Sequence, residues 1–343
     1  MLYYYALLYY NINLKQIKTM KKIHIISTLI GLLIFSTLAK AELKVVTSIK
    51  PIHSLASYIM DGVGSPGLIV DGYNSPHSFQ LKPSHAKMLE QADIIFWIGE
   101  DLENFLEKPL DTIAKKAEKI ELLEIKNIKK LKFRERNIFE EHEEHDDHGH
   151  DAKKEEHDDH GHDAKKEEHD NHEEHGHGEY DPHIWLDPIN AKIILNEITE
   201  HLIENDSKNA STYKSNLAKA LAKIDKLIID VITETNTDLS YVVFHDAYQY
   251  YENRFNVNIL GAMTVNPDVM PGAEQIHEIN EVIEHDNVSC ILSEPQFNPD
   301  IIKSIAKDTN VKTGVLDPLG ANLKPGKDLY FDLIRNMSAS FNC

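Results

Sequence analysis

Cysteine is nearly absent: among 343 residues only Cys290 and Cys343 occur. No second pair stands at CxxC-type spacing, which speaks against a thiolate zinc site. Basic side chains are also scarce, with 36 Lys and Arg against 56 Asp and Glu and a formal charge of −20. A nucleic-acid binder needs a basic face, so anionic polymers are poor partners for this chain and cations are good ones. No HExxH motif is present, since His142-Glu143-Glu144-His145 falls one residue short of that spacing. A zinc hydrolase would need an open coordination position and a placed general base, so hydrolysis is a weak alternative. After residue 41 no run is apolar enough to span a bilayer. What remains, at 27% charged and 41% hydrophobic residues, is enough apolar side chain for two packed domains and rules out disorder over the whole length.

The first 41 residues read as a targeting segment. Lys21-Lys22 precede the apolar run Ile23 to Leu38, and Ala39-Lys40-Ala41 supplies the small-x-small pattern of a signal-peptidase site. The run is shorter than the roughly 20 residues of a membrane span. The mature chain is expected to begin at Glu42, with Met20 as the start of the signal peptide and residues 1–19 as an upstream extension. With no cysteine at the cleavage point, lipid attachment is not available, and the product is expected to diffuse in a periplasm. In that oxidising compartment Cys290 and Cys343 can pair, which chain-entropy arguments value at roughly 4 kcal/mol, or remain two free thiols.

Histidine is abundant, and its distribution is uneven. The forty residues from Glu140 to Glu179 hold 11 of the 20 histidines and carry −14 of the net charge. His145 to Glu156 reads HDDHGHDAKKEE, His157 to Glu168 repeats it letter for letter, and a degenerate third copy begins at His169. Such a segment has almost nothing to bury, so it is expected to be a disordered loop rather than a domain. His142, His145, His148, His150, His157, His160, His162, His169, His172, His175 and His177, spaced as HGH and HxxH among carboxylates, suit weak, multiple, exchangeable zinc binding.

Outside this insert, short apolar runs alternate with helical patterns, the signature of β-α units and parallel sheets. Strands are expected at Leu43–Ser48, Gly67–Val70, Ile94–Ile98, Tyr241–Phe244, Cys290–Leu292 and Thr313–Leu316. Ser84 is a candidate cap for a helix ending near Gln91, and Asp187-Pro188 a natural start for another. Tyr213, Leu217, Leu221, Ile224, Ile228 and Val231 recur at three- and four-residue spacing along one long helix over about 207–236. The expected fold class is therefore α/β: an N-terminal lobe over 42–206, a linking helix, and a C-terminal lobe over 237–343.

Three histidines lie beside turn residues or strand ends: His77 after Ser75-Pro76, His183 after Asp181-Pro182, and His245 before Asp246. In open α/β sheets ligands bind beyond the carboxyl ends of strands, where His245 and Asp317 are both expected. Three neutral imidazoles with one water or carboxylate suit tetrahedral Zn²⁺, whereas manganese and calcium favour oxygen-rich shells.

In these motifs the chain resembles the periplasmic zinc-uptake binding proteins of ABC transporters, of the ZnuA type. The likeness rests on Pro76-His77 with Leu81-Lys82-Pro83-Ser84, the acidic His-rich insert, His183-Ile184-Trp185-Leu186-Asp187-Pro188, and Phe244-His245-Asp246-Ala247-Tyr248. Ser293-Glu294-Pro295-Gln296-Phe297 and Leu316-Asp317-Pro318-Leu319-Gly320 extend it. The resemblance implies two parallel-sheet lobes joined by one backbone helix, with the metal between them. It also implies His77, His183 and His245 as zinc ligands, a Cys290–Cys343 disulfide, and a membrane permease as partner. Some members carry a glutamate before the first ligand histidine, where this chain has Pro76, so the fourth ligand is Asp317 or a water. A monomer is the default, and a periplasmic zinc store without a transporter is the nearest alternative.

Overall fold

The structure, a computed structural model, describes Met20 and residues 42–134, 136–139, 178–265, 267 and 269–343. The expected signal peptide, apart from Met20, and the eleven histidines of the insert lie outside the described residues.

The described residues from Leu43 to Cys343 form one compact unit built on two four-stranded parallel sheets. The first is laid down as β1 (Val45–Ile49), α1 (Lys50–Ile59), β2 (Gly67–Val70), α2 (Pro83–Gln91), β3 (Ile94–Trp97), α3 (Glu100–Thr112) and β4 (Glu118–Glu121). After the insert come α4 (Pro188–Asn205) and the long α5 (Ala210–Glu234), then β5 (Ser240–His245), α6 (Gln249–Phe255) and β6 (Asn258–Thr264). The second sheet closes with α7 (Ala273–His285), β7 (Cys290–Ser293), α8 (Asp300–Thr309) and β8 (Lys312–Val315), and α9 (Leu329–Ser340) follows. Strand orders are β2-β1-β3-β4 and β6-β5-β7-β8, so each sheet reverses its winding beside its first strand. Such a switch point leaves a crevice at the carboxyl ends of the two central strands.

Local chemistry explains these elements. β1 and β3 are buried along their whole length, as parallel strands covered on both faces must be. In β5 the side chains alternate: Tyr241 and Val243 join the main core, while Val242 and Phe244 face a smaller cluster with Ile279, Ile283 and Ile302. Asp187 caps α4 by accepting from Ile189 N at 2.8 Å, with Pro188 in the first turn as expected. The structure differs at α2, where Lys82 is the cap position, Pro83 opens the helix, and Ser84 lies inside the first turn. Asn298 Oδ1 accepts from Asp300 N at 3.0 Å at the start of α8.

The 25 residues of α5 rise about 37 Å. Its buried stripe of Tyr213, Ala220, Ile224, Leu227 and Val231 packs against α1, α4 and the C-terminal α9. The disulfide between Cys290 of β7 and Cys343, whose Cα atoms are 6.6 Å apart, ties the chain end after α9 to the second sheet. Residues flanking the insert also reach both halves. Phe139 N donates to Leu260 O and Ala262 N to Asn137 O, each at 2.8 Å on the edge strand β6, while Gly178 N donates to Asp101 Oδ1 at 2.9 Å on α3.

Candidate metal centre

His77 stands in the loop after β2, His183 begins the 3-10 turn Ile184–Leu186 ahead of α4, and His245 is the last residue of β5. Separated by up to 168 positions in sequence, they converge: one ligand-type nitrogen of each lies within 4.8 Å of the others. Ring centroids are 5.2 Å apart for His183 and His245, 5.5 Å for His77 and His245, and 5.6 Å for His77 and His183. His183 and His245 are each only 3% exposed, and His77 is half-buried at the mouth.

The second nitrogen of each buried ring decides what the first can do. His183 Nδ1 lies 2.7 Å from Asp181 Oδ1, and His245 Nδ1 lies 2.6 Å from Glu294 Oε1. A carboxylate accepts, so Nδ1 carries the proton in both rings and Nε2 offers its lone pair. Those two Nε2 atoms are 3.3 Å apart. Two lone pairs at that distance repel unless a proton or a cation lies between them. A tetrahedral zinc ion with bonds of about 2.0–2.1 Å sets its ligands roughly 3.3–3.4 Å apart, and the observed spacing matches that edge.

Electrostatics separates the two rings. Burial, with His245 adding to it, holds His183 well below the ordinary histidine value. Burial acts downward on His245 too, but the charge and hydrogen bond of Glu294 overcome it and the net shift is upward. Burial pushes the Asp181 carboxyl up to about 7, against the hydrogen bond it accepts from His183 N. Behind the site, Arg134 donates to Asp246 Oδ1 at 2.9 Å and to both Glu252 oxygens at 2.8 and 3.0 Å, holding two further buried carboxylates.

The histidines line a cavity of about 10 Å³ together with Ser75, Trp185, Gln296, Phe297 and others. That is the room of a single water or ion. Ser75, Gln296 and Phe297 also line an adjoining open cleft of about 420 Å³ whose walls include Tyr73, Gln80 and Lys82.

Asp317 is not among the clustered donors. Its Oδ1 accepts from Gln296 Nε2 at 2.9 Å, Gly320 N at 2.9 Å and Leu319 N at 3.1 Å, and its Oδ2 accepts from Ala321 N at 2.6 Å. The carboxylate organises the turn after β8. Asp181 and Glu294 aim the two buried imidazoles, a role that composition and periodicity do not announce. The signals that could have found them are the Asp-x-His spacing and the position of Glu294 directly after β7, beside β5 at the switch point. A second group, Glu118, His201 and Glu204, also brings donor atoms within 4.8 Å of one another, on a partly exposed face of α4 and β4.

Comparison with known proteins shows the family. The profile of the family "Zinc-uptake complex component A periplasmic" (ZnuA) matches residues 45–342. A high-affinity zinc uptake system protein ZnuA of Brucella abortus (strain 2308) is 45% identical over 308 residues, covering 89% of this chain and 92% of the relative. That of Yersinia pestis is 34% identical over 315 residues, covering 91% and 94%. A crystal structure of ZnuA superposes with a TM-score of 0.67 over 88% of this chain and all of the other, at 20% identity, which speaks for the fold alone. Family profile, two-sheet architecture and a convergent histidine triad agree, and the chain belongs to the ZnuA family of periplasmic zinc-uptake components.

Proposed function

We propose that this protein captures Zn²⁺ with His77, His183 and His245 and delivers it to the permease of an ABC transporter. One observation carries the reading: two buried imidazoles are each held through Nδ1 by a carboxylate, so that their Nε2 atoms face one another at a zinc-ligand spacing beside His77. Imidazole donors favour zinc over manganese, which prefers oxygen-rich shells. Because His245 ends a strand of the second sheet and His77 follows a strand of the first, an ion bound by both cross-links the two halves. Relatives with the zinc-uptake name support the cargo, and they imply the permease as partner. Export through cleavage before Glu42 belongs to the same reading, and N-terminal sequencing of protein from the periplasm tests it. Among the described residues no helix is long and apolar enough to cross a membrane.

Metal analysis and calorimetry of the full chain and of His77→Ala, His183→Ala and His245→Ala test the capture site. Each substitution is expected to remove the tight equivalent of zinc. Wild-type affinity in all three would overturn the assignment. Weak zinc binding by the histidines between residues 140 and 179 is a separate expectation. Deleting that segment should abolish the weaker sites and leave the tight one.

A further inference from the structure

Chemistry fixes the polarity of the Asp317–Gln296 pair. Asp317 accepts three backbone N–H groups, so toward Gln296 it is an acceptor, and the amide must present its NH₂ to it, at 2.9 Å from Nε2 to Oδ1. The Gln296 carbonyl is thereby turned the other way. Oε1 is buried and accepts no hydrogen bond from the described residues. Native proteins rarely leave a buried acceptor without a donor. Gln296 lines the small cavity that His77, His183 and His245 also line. Of the other acceptors on that wall, Glu294 Oε1 is taken by His245 Nδ1.

Three imidazoles leave one position of a zinc tetrahedron for a water, whose O–H groups the metal turns into strong donors. The adjoining cleft, which shares Ser75, Gln296 and Phe297 with the cavity, offers room for that water beside the ion. We infer that Gln296 Oε1 accepts a hydrogen bond from the water that completes the zinc shell, and that Asp317, rather than binding the metal, is the residue that orients Gln296. The roles then form a relay. Backbone amides 319–321 hold Asp317, Asp317 holds the Gln296 amide, and the amide carbonyl holds the water. Gln296 is a positioning residue, since it touches the ion only through that water.

The inference rests on zinc capture by the three histidines, and the test keeps the two apart. Zinc affinity of the full chain is measured by chelator competition for the wild type, Gln296→Met and His183→Ala, with the visible spectrum of the Co²⁺-loaded forms and the metal-free melting temperature. Gln296→Met is expected to bind zinc about tenfold more weakly, the lower end of the loss typical of outer-shell partners, and to alter the Co²⁺ bands. Loss of the Gln296 Nε2–Asp317 bond is expected to lower the metal-free melting temperature, so the Co²⁺ bands, which a merely structural role would not move, are the discriminating readout. Zinc affinity within about twofold of wild type together with unchanged Co²⁺ bands would overturn the inference. A crystal structure of the zinc-loaded full chain gives a second readout that does not depend on any variant folding. An oxygen in the fourth position within about 3.2 Å of Gln296 Oε1 supports the relay, and a fourth position filled by a protein side chain refutes it. Equal zinc binding by wild type and His183→Ala would instead sink the capture site itself, whatever Gln296 does.

Discussion

Among the described residues two groups of metal-type side chains come together, and they differ in what stands behind the donors. In both His77–His183–His245 and Glu118–His201–Glu204 the donor atoms lie within 4.8 Å of one another. In the first, carboxylates occupy Nδ1 of the two buried rings and leave Nε2 directed at a common point. In the second, Nε2 of the one imidazole is taken by Glu197 Oε1 at 3.2 Å, one turn away on α4, and Nδ1 lies 2.8 Å from Glu118 Oε1 without hydrogen-bond geometry. The surroundings differ as well. Asp181 and Glu294 are buried, whereas the Glu118 side chain is 39% exposed and Glu204 is exposed, and near the surface ion pairs contribute about 0–1 kcal/mol. Proximity of donors is therefore a poor criterion. Direction of the lone pairs and exclusion of water make the difference.

Four measurements break or sharpen this contrast. The largest effect is expected from removing a buried ligand: His183→Ala or His245→Ala should weaken tight zinc binding well beyond the roughly 100-fold ceiling of outer-shell changes. Titrating wild-type protein at pH 7.5 and 5.5 should give the next largest. His245 is raised above the ordinary histidine value, so its proton already competes near neutrality, and affinity falls as pH drops. One displaced proton costs about tenfold per pH unit below that value, so a flat profile would contradict imidazole ligation. Third, Asp181→Asn and Glu294→Gln should each cost roughly tenfold, because an amide orients the ring but strengthens the ligand less. Glu294→Gln should also make the pH dependence shallower, since the Glu294 charge is what raises His245. Smallest of all, His201→Ala should leave the tight site within about twofold of wild type by chelator competition, and a tenfold loss would erase the distinction between the two clusters.

How much was legible in the sequence follows from where each element sits. β1, β3, β5 and β7 announce themselves because central strands of a parallel sheet are continuous apolar runs. The edge strand β4, Glu118-Lys119-Ile120-Glu121, buries only Ile120 and carries no such signal, and the edge strand β6 is interrupted by Gly261 and begins at the exposed Asn258. The three histidines stood out through their turn neighbours and the motifs around them. The fate of Asp317 did not, because its partners are backbone amides that present themselves only once residues 319–321 have folded into their turn. The same holds for Glu294, which the sequence places 49 residues from His245 and β5–β7 pairing places beside it.

From its sequence alone the protein is an acidic α/β chain with a histidine-rich insert, two cysteines able to pair, and three histidines poised at loop and strand ends. Composition and periodicity dictate these features because they depend on neighbours within a few residues. Tertiary structure decided that carboxylates hold Nδ1 of His183 and His245, that Asp317 serves a turn rather than the donor cluster, and that Gln296 lines the cavity with its NH₂ turned to Asp317. Hydrogen-bond direction between residues dozens of positions apart is set by how the two sheets pack, and no local pattern encodes it.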